Sequence, residues 1–215
     1  MRHIVASLLL ATLSTQLAAQ TADTPPTATA AAPAGSSARP GHWAEPLALE
    51  GVPNLHRISP LLYRSEQPTA VGMKNLEKLG IRTVINLRWF NSDRKEARGT
   101  TLRTERVKIL TWNVDDDHVI AVMRMLKQTE NGPFLIHCQH GADRTGLMSA
   151  MYRILEQGWH VDDALAELTE GGYGYHSIWT NILRYVRSAD VDRLRAEIGA
   201  SPAVSTGSTS TVTVN

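Results

Sequence analysis

His-Cys-Gln-His-Gly-Ala-Asp-Arg-Thr-Gly spans residues 137–146, and Cys138 within it is the only cysteine of the 215-residue chain. An apolar run from Pro133 to Ile136 precedes the stretch, and a helix-favouring run from Leu147 to Leu155 follows it. A short apolar run bounded by turn residues is typical of a buried strand. The sequence therefore predicts a strand, a tight loop and the N-terminus of a helix, in that order.

The residue types in this loop suit attack on a bound phosphate group. A thiol is a good nucleophile once ionised, and both a helix N-terminus and a nearby cation favour the ionised form. Arg144 can hold two phosphate oxygens with its planar guanidinium, and Gly141 lets the backbone approach a ligand closely. We therefore predict Cys138 as the nucleophile, Arg144 as the phosphate clamp and Thr145 as a hydroxyl that eases departure of the sulfur.

The rest of the loop is expected to bind phosphate through its backbone. Successive N–H groups at the start of a helix form a concave site for anions. We expect His137 to face the structure behind the loop, where it positions Cys138. The predicted substrate-binding residues are Gln139, His140, Gly141, Ala142, Asp143 and Arg144.

The pattern His-Cys-x-x-Gly-x-x-Arg-Thr-Gly resembles the signature of the cysteine-dependent protein tyrosine and dual-specificity phosphatases. Residues 55–60 and 62–65 resemble the first strands of small atypical members. Residues 151–153 and 157–159 resemble bacterial periplasmic enzymes of the TpbA type. The resemblance covers roughly residues 45–190. It implies hydrolysis of a phosphomonoester through a phosphocysteine intermediate, with no metal or other cofactor.

The resemblance also implies a phosphorylated protein as the substrate, with phosphotyrosine the first choice and phosphoserine or phosphothreonine next. A phosphoinositide or inositol phosphate phosphatase is the alternative enzyme, but loop lysines would favour it and this loop has none. A phosphoprotein-binding module without hydrolysis is the alternative outside enzymes. Both Cys138 and Arg144 are present, which argues against a module that only binds.

The loop has two other interpretations. Cys138 alone could be a small buried apolar residue, but Arg144 and the glycines would then be coincidental. His137, Cys138, His140 and Asp143 could instead bind a metal. Structural zinc sites bring a second pair of ligands at a defined spacing, and the chain has no second cysteine.

The leaving oxygen also needs a proton donor. In the family this sequence resembles, an aspartate on a separate loop usually has that role. By spacing, Asp116 matches the aspartate of plant and fungal atypical members, and Asp115 is the second candidate. Both would also suit the N-terminus of a helix as capping residues. In the TpbA type the acid lies a few residues earlier, where this chain has Trp112.

Asp143, directly before the loop arginine, is the third candidate for the proton donor. An aspartate also stands at this point in the myotubularin lipid phosphatases, which the loop resembles here. Alternatively, Asp143 only hydrogen-bonds loop amides and lowers the local positive charge.

The two ends of the chain differ in composition from its middle. Residues 1–19 have a basic start, an apolar core too short to span a membrane and small residues near their end, and are predicted to be a secretory signal peptide. Residues 20–44 are predicted to be a disordered linker, residues 45–198 the phosphatase domain and residues 199–215 a disordered tail. With the bacterial resemblance, a signal peptide implies a periplasmic or secreted protein, with no stable membrane insertion after cleavage.

Charge excludes one class of partner. The chain has 22 Lys and Arg against 21 Asp and Glu, which leaves no basic field suited to nucleic acid. The oligomeric state is not predicted.

Strand-like and helix-like segments alternate along the middle of the chain. Val84–Leu87 and Val107–Leu110 are predicted strands, Met73–Leu79 a helix ended by Gly80, and residues 119–126 a second helix. Further helices are predicted over residues 147–157, 162–169, 178–187 and 191–198. This order predicts an α/β fold with a central, mostly parallel sheet flanked by helices, like that of dual-specificity phosphatases. Residues 171–176 are predicted to be a turn with packing tyrosines, or alternatively a border of the active site.

Overall fold

The computed structural model describes residues 29–30 and 39–200, where seven strands form one sheet flanked by helices. The strands are β1 (Thr29–Ala30), β2 (Glu45–Ala48), β3 (His56–Ser59), β4 (Leu62–Ser65), β5 (Thr83–Arg88), β6 (Arg103–Ile109) and β7 (Phe134–His137). The helices are α1 (Ala70–Leu79), α2 (Asp116–Lys127), α3 (Asp143–Leu155), α4 (Val161–Glu170), α5 (Thr180–Ser188) and α6 (Val191–Gly199).

The sheet has a parallel half and an antiparallel half. Its strand order is β1-β2-β3-β4-β7-β5-β6. The strands β4, β7, β5 and β6 pair in parallel, whereas β1 to β4 pair antiparallel in succession. The predicted α/β class is therefore confirmed, and the strand that precedes Cys138 lies in the middle of the parallel half.

Alternate residues of the central strands face opposite layers of helices. Val84 and Leu135 pack with Met73 of α1 on one face, whereas Ile85 and Ile136 join the larger core against α2 and α3 on the other. Each of these side chains is fully buried, and such burial contributes about 1.5–3 kcal/mol per residue. Strands buried on both faces read as continuous apolar runs, which is why the sequence revealed them.

The ends of α1 follow the expected capping chemistry. The Thr69 hydroxyl accepts a hydrogen bond from the Gly72 N–H at 3.1 Å, which begins the helix. Gly80 ends it with a left-handed backbone, φ 98°, a conformation that glycine adopts at little cost. The predicted stop at Gly80 is thus observed.

The predicted linker, residues 20–44, ends earlier in the structure than the sequence indicated. Arg39 donates to the carbonyls of Gly171 and Ala44, and its guanidinium lies 5.1 Å from the centre of the Tyr173 ring. Ala44 is buried, and its N–H donates to Glu167 at 2.6 Å. The folded domain therefore includes residues 39–44, which composition alone could not show because the contacts join distant parts of the chain.

The other predicted boundaries fall at or beyond the edges of the described structure. The predicted signal peptide, residues 1–19, and the predicted tail from residue 201 onward lie outside the described residues. Helix α6 runs to Gly199, one residue into the predicted tail. Among the helices described, none is both long and apolar enough to cross a membrane.

Candidate active site

Cys138 lies where the central strand ends and the loop begins. Strand β7 pairs with β4 on one side and with β5 on the other, and it ends at His137. Helix α3 starts five residues after Cys138, at Asp143. The loop therefore occupies the carboxyl edge of the parallel strands, where open α/β sheets bind ligands.

The carbonyl groups of the loop point away from its centre. Four successive carbonyl oxygens meet a hydrogen-bonding group, one from the adjacent His137 and three from neighbouring segments. They are Cys138 with His137 Nδ1 at 3.2 Å, Gln139 with Gln67 N–H at 3.4 Å, His140 with Asn54 Nδ2 at 3.1 Å, and Gly141 with Arg64 Nη2 at 2.7 Å. Among the described residues, no acceptor takes the N–H groups of residues 139–142. Successive N–H groups without a protein acceptor, directly before a helix, are suited to bind an anion.

Position 141 has a backbone conformation and surroundings that only glycine fits. Its φ is +68°, and an added Cβ would lie 2.5 Å from the Glu66 N and 2.6 Å from the Ser65 carbonyl. Glycine thus lets the loop pass directly over the end of β4.

Arg64 is a buried side chain that donates a hydrogen bond to the loop carbonyl of Gly141. Its side chain is 1% exposed, and its guanidinium lies 3.5 Å from the centre of the Tyr173 ring. Burial lowers the pKa of Arg64, while Tyr173, Glu167 and Cys138 act in the opposite direction. Sequence reasoning assigned Arg64 no role. The available signal was a cation at an inward-facing position of an otherwise buried strand.

A buried hydrogen bond between Asp93 and His137 lies behind Cys138. Asp93 Oδ2 lies 2.8 Å from His137 Nε2, and Asp93 Oδ1 accepts from Gln67 at 3.0 Å and Asn86 at 2.9 Å. Burial alone would raise the pKa of Asp93, but its bonds with His137, Gln67 and Asn86 outweigh burial and hold that pKa below its usual range. The ring of His137 thus lies behind the loop, as expected, and Asp93 is its unpredicted partner.

Arg144 lines a pocket of about 250 Å³ beside the loop. Aromatic side chains form the wall of this pocket: Trp89, Phe90 and Trp112, which are 40%, 80% and 63% exposed. Trp112 also stacks on Trp179, with ring centres 6.5 Å apart. An anion-binding loop therefore opens beside a cleft with aromatic walls.

Thr145 is fully buried at the start of α3. Its hydroxyl has no hydrogen-bond partner within residues 39–200. The predicted bond to the sulfur is not formed in this structure, and the role of Thr145 stays a prediction.

The carboxylates ranked first as proton donor bind elsewhere. Asp115 caps α2 by accepting from the His118 N–H at 3.1 Å. Asp116 accepts from the Tyr185 hydroxyl at 2.7 Å and pairs with Arg193 of α6. Neither residue lines the pocket beside Arg144. The structure thus places both in contacts that hold helices, because a helix N-terminus and a nearby guanidinium each attract a carboxylate.

The segment from Gly171 to Trp179 borders the loop, as one of the two alternatives for residues 171–176 expected, and brings His176 into a contact with Asp143 that the sequence did not predict. Asp143 Oδ1 accepts from the His176 backbone N–H at 3.0 Å, and Asp143 Oδ2 lies 2.9 Å from His176 Nδ1. The ring of His140 is 5.4 Å from that of His176, centre to centre. Tyr173 of the same segment is buried against Arg64. Both alternatives for residues 171–176 are therefore observed, a packing tyrosine in Tyr173 and a residue that borders the loop in His176.

His140, Asp143 and His176 are also the set of described residues that could hold a metal ion. One ligand atom from each lies within 4.8 Å of the others. Asp143 and His176 hydrogen-bond directly to one another.

Comparison with protein families gives a match over the part of the chain that contains the site. Residues 54–180 match the model of the DSP-PTPase phosphatase fused to NAD+ kinase. The dual specificity protein phosphatase TpbA of Pseudomonas aeruginosa is 41% identical over 154 residues, which cover 71% of this chain and 69% of TpbA. An inositol diphosphatase of Arabidopsis thaliana is 26% identical over 154 residues, covering 66% of this chain and 72% of that protein.

Solved structures give the same neighbours. The crystal structure of Pseudomonas aeruginosa TpbA superposes with a TM-score of 0.69 at 38% identity, covering 76% of this chain and all of that one. A second TpbA crystal structure, in complex with phosphotyrosine, gives a TM-score of 0.68 at the same identity and coverage.

Proposed function

The chain belongs to the DSP-PTPase family of phosphatases, and from that premise we propose that it hydrolyses phosphotyrosine in proteins through a phosphocysteine at Cys138. The Cys138 sulfur attacks phosphorus while the bond to the tyrosine oxygen breaks. Water then attacks the phosphocysteine, and phosphate leaves as the sulfur is released. Arg144 and the loop N–H groups hold the phosphoryl oxygens in both steps, and Thr145 assists the release of sulfur.

The observation that carries this proposal is the orientation of the loop backbone. The carbonyl groups of residues 138–141 are all bonded outward, and the N–H groups of residues 139–142 have no acceptor among the described residues. Charge that develops on phosphoryl oxygens is stabilised best by donors fixed in advance. The buried partners Arg64 and His137 supply that fixation.

The aromatic cleft supports an aryl phosphate as the substrate. Trp89, Phe90 and Trp112 stand beside Arg144 with large exposed fractions. Aromatic rings pack on one another in stacked or edge-to-face contacts worth about 0.5–1.5 kcal/mol. A tyrosine ring that carries the phosphate would gain such contacts, whereas a serine side chain would not. The TpbA crystal structure with phosphotyrosine supports the same substrate class.

An inositol phosphate is the second substrate class to test. A 26% identical relative is an inositol diphosphatase. Such a substrate carries many negative charges and calls for several cations around the loop. Between Cys138 and Thr145 this chain has one cation, Arg144, and Arg64 is buried beneath the loop.

We further propose that the protein acts in the bacterial periplasm. The basic start and short apolar core of residues 1–19 support export. The balanced charge of the chain fits a substrate that is a phosphorylated protein and not a nucleic acid.

A substrate panel with Cys138→Ser tests the proposal. We expect the wild-type chain to hydrolyse a phosphotyrosine peptide with a kcat/KM at least about tenfold above that for the matched phosphoserine peptide, a difference of about 1.4 kcal/mol, and above that for inositol diphosphates. Cys138→Ser should abolish turnover of every substrate and still bind the phosphotyrosine peptide in a pull-down. Hydrolysis retained by Cys138→Ser would refute the mechanism, and preference for an inositol diphosphate would refute the substrate.

A further inference from the structure

Large apolar side chains that are exposed to solvent gather at the mouth of the pocket beside Arg144. Among the described residues, six large apolar side chains are exposed, and three of them, Trp89, Phe90 and Trp112, line that pocket. Phe90 is the most exposed of the six, at 80%. Single apolar residues on a surface are ordinary, whereas a contiguous group of them marks a place where another molecule binds.

The turn that carries Phe90 is fixed by one buried side chain. Asn86 Oδ1 accepts from the Arg88 N–H at 2.8 Å, and Asn86 Nδ2 donates to the Asn91 carbonyl at 3.2 Å. The same Nδ2 donates to Asp93 Oδ1 at 2.9 Å, behind the phosphate-binding loop. Phe90 therefore lies at the tip of a turn with both ends bonded to Asn86.

The same turn is also tied to the phosphate-binding loop. Arg88 Nη1 donates to Gln67 Oε1 at 2.9 Å, and the Gln67 N–H donates to the Gln139 carbonyl at 3.4 Å. Gln139 follows Cys138 and lines the same pocket as Phe90. The exposed ring of Phe90 is thus held in place relative to a phosphate in the loop, and a contact formed in advance loses little conformational entropy when a ligand binds.

The apolar surface of the pocket exceeds what a tyrosine ring can cover. One ring has two faces, whereas Trp89, Phe90 and Trp112 are exposed by 40%, 80% and 63%. In a protein substrate the next group is the residue beside the phosphotyrosine, whose Cα lies only about 3.8 Å from that of the tyrosine. A bilayer is bound by a broad apolar face, such as that of an amphipathic helix, but this surface consists of three side chains around one pocket.

We propose that Phe90 is a specificity-determining residue that binds an apolar side chain next to the phosphotyrosine of the substrate, a role that rests on the proposed hydrolysis of phosphotyrosine in proteins. Arg144 and the loop N–H groups hold the phosphoryl group, while Phe90 covers the neighbouring side chain and removes it from water. Because this contribution grows with the apolar area that is buried, leucine beside the phosphotyrosine is favoured over serine.

A peptide series tests this role. The host peptide has serine at the two positions on each side of the phosphotyrosine, and four variants each carry one leucine among these positions. We expect at least one leucine to raise the kcat/KM of the wild-type chain about tenfold, which corresponds to about 1.4 kcal/mol. Phe90→Ala should reduce this ratio of leucine to serine peptide to less than about threefold, and Phe90→Leu, which keeps an apolar side chain, should retain most of it.

The ratio of the two peptides separates recognition from a structural effect. If Phe90 only maintained the pocket, its loss would lower kcat/KM equally for both peptides and leave the ratio unchanged. Val71→Ala is the matched control, because Val71 of α1 is an apolar side chain that is 50% exposed and does not line this pocket. It should leave the ratio at its wild-type value.

The remaining outcomes distinguish this proposal from the proposed function. A wild-type chain without preference for leucine at any of the four positions, or a preference that survives in Phe90→Ala, would overturn the role of Phe90. Binding to vesicles of phosphatidylethanolamine and phosphatidylglycerol that is lost in Phe90→Ala would assign the surface to a membrane and overturn it as well. The same ratio is measured as a ratio of Kd values in Cys138→Ser, so a leucine preference in binding to a peptide that the wild type does not hydrolyse would overturn the proposed function and support the role of Phe90.

Discussion

At the scale of single residues, the phosphate-binding loop depends on side chains that lie outside it. Arg64, Asn54 and His137 each meet a loop carbonyl and so turn the opposite N–H groups inward. An unpaired buried carbonyl costs about 1–3 kcal/mol. Substitution of any of these partners should therefore alter the conformation of the loop while the rest of the domain stays folded.

Gly141 gives a prediction with a matched control. Gly141→Ala should lower kcat/KM for a phosphotyrosine peptide at least about 100-fold, because the added Cβ would lie 2.5 Å from the Glu66 N and displace the loop. Gly172→Ala carries the same left-handed penalty of about 1–2 kcal/mol, since its φ is +76°, but meets nothing within 4 Å. Steady-state kinetics of the two variants provides the measurement. Similar losses in both would show that backbone strain and not the contact with β4 is responsible.

His56 makes stability depend on pH. It is packed edge-on against Tyr173 with ring centres 4.7 Å apart, and burial, with lesser help from Arg64 and Arg39, lowers its pKa from 6.5 to about 4. Between these two values the unfolded chain binds a proton that the folded chain does not, so stability falls as the pH falls. The loss approaches about 3 kcal/mol at the acid end of this window.

Urea unfolding at pH 7.0 and pH 4.5 checks this prediction. His56→Phe should reduce the loss of unfolding free energy between the two pH values, and His160→Phe, at an exposed position, should not. An unchanged loss in His56→Phe would show that other groups carry the pH dependence.

At the scale of elements, Asp116 joins three helices. Its carboxylate at the start of α2 accepts from Tyr185 of α5 and pairs with Arg193 of α6. Burial raises the pKa of Tyr185, with Asp115 adding to the effect, so its hydroxyl stays a donor throughout the working pH range.

Asp116→Asn should therefore lower the thermal midpoint while kcat/KM stays within about twofold of the wild type. A partly exposed ion pair contributes about 0–1 kcal/mol and a hydrogen bond about 0.5–1.5 kcal/mol. Thermal unfolding followed by circular dichroism, together with turnover of the phosphotyrosine peptide, separates the two effects. An unchanged midpoint with lost activity would restore Asp116 as a catalytic candidate.

The sequence predicted those elements whose signals are local. The strand at Val84–Leu87, the helix stop at Gly80 and the loop before α3 follow from apolar runs, a glycine and residue spacing. The contacts of Asp93, Arg64 and His176 were not predicted because their partners lie 44, 77 and 33 positions away in the chain. Spacing likewise could not show that Arg193, 77 positions later, binds Asp116.

At the scale of the whole molecule, the parallel half of the sheet gathers the site. Strands β5, β6 and β7 end at one edge, where the segments after them bring Trp89, Trp112 and Gln139 together. The segment between α4 and α5 then adds His176. The antiparallel strands β2 and β3 continue the sheet beyond β4, on the side opposite β5 and β6.

Residues 1–19 predict that the whole chain is exported. Residues 1–38 fused to alkaline phosphatase, which is active only after export, should give active enzyme in a bacterial host, because a short apolar core behind a basic start directs secretion. Deletion of residues 4–13 from the fusion should abolish the activity. Activity that survives the deletion would contradict a signal peptide in this region.

In the proposed mechanism, Cys138 carries the phosphoryl group between the two steps. The test is to quench the wild-type chain in acid within milliseconds of mixing with a phosphotyrosine peptide and to locate phosphate by mass spectrometry. We expect phosphate on Cys138 in the wild type and on no residue in Cys138→Ser. Phosphate on another residue, such as His140, or turnover with no phosphorylated enzyme at any quench time, would contradict it.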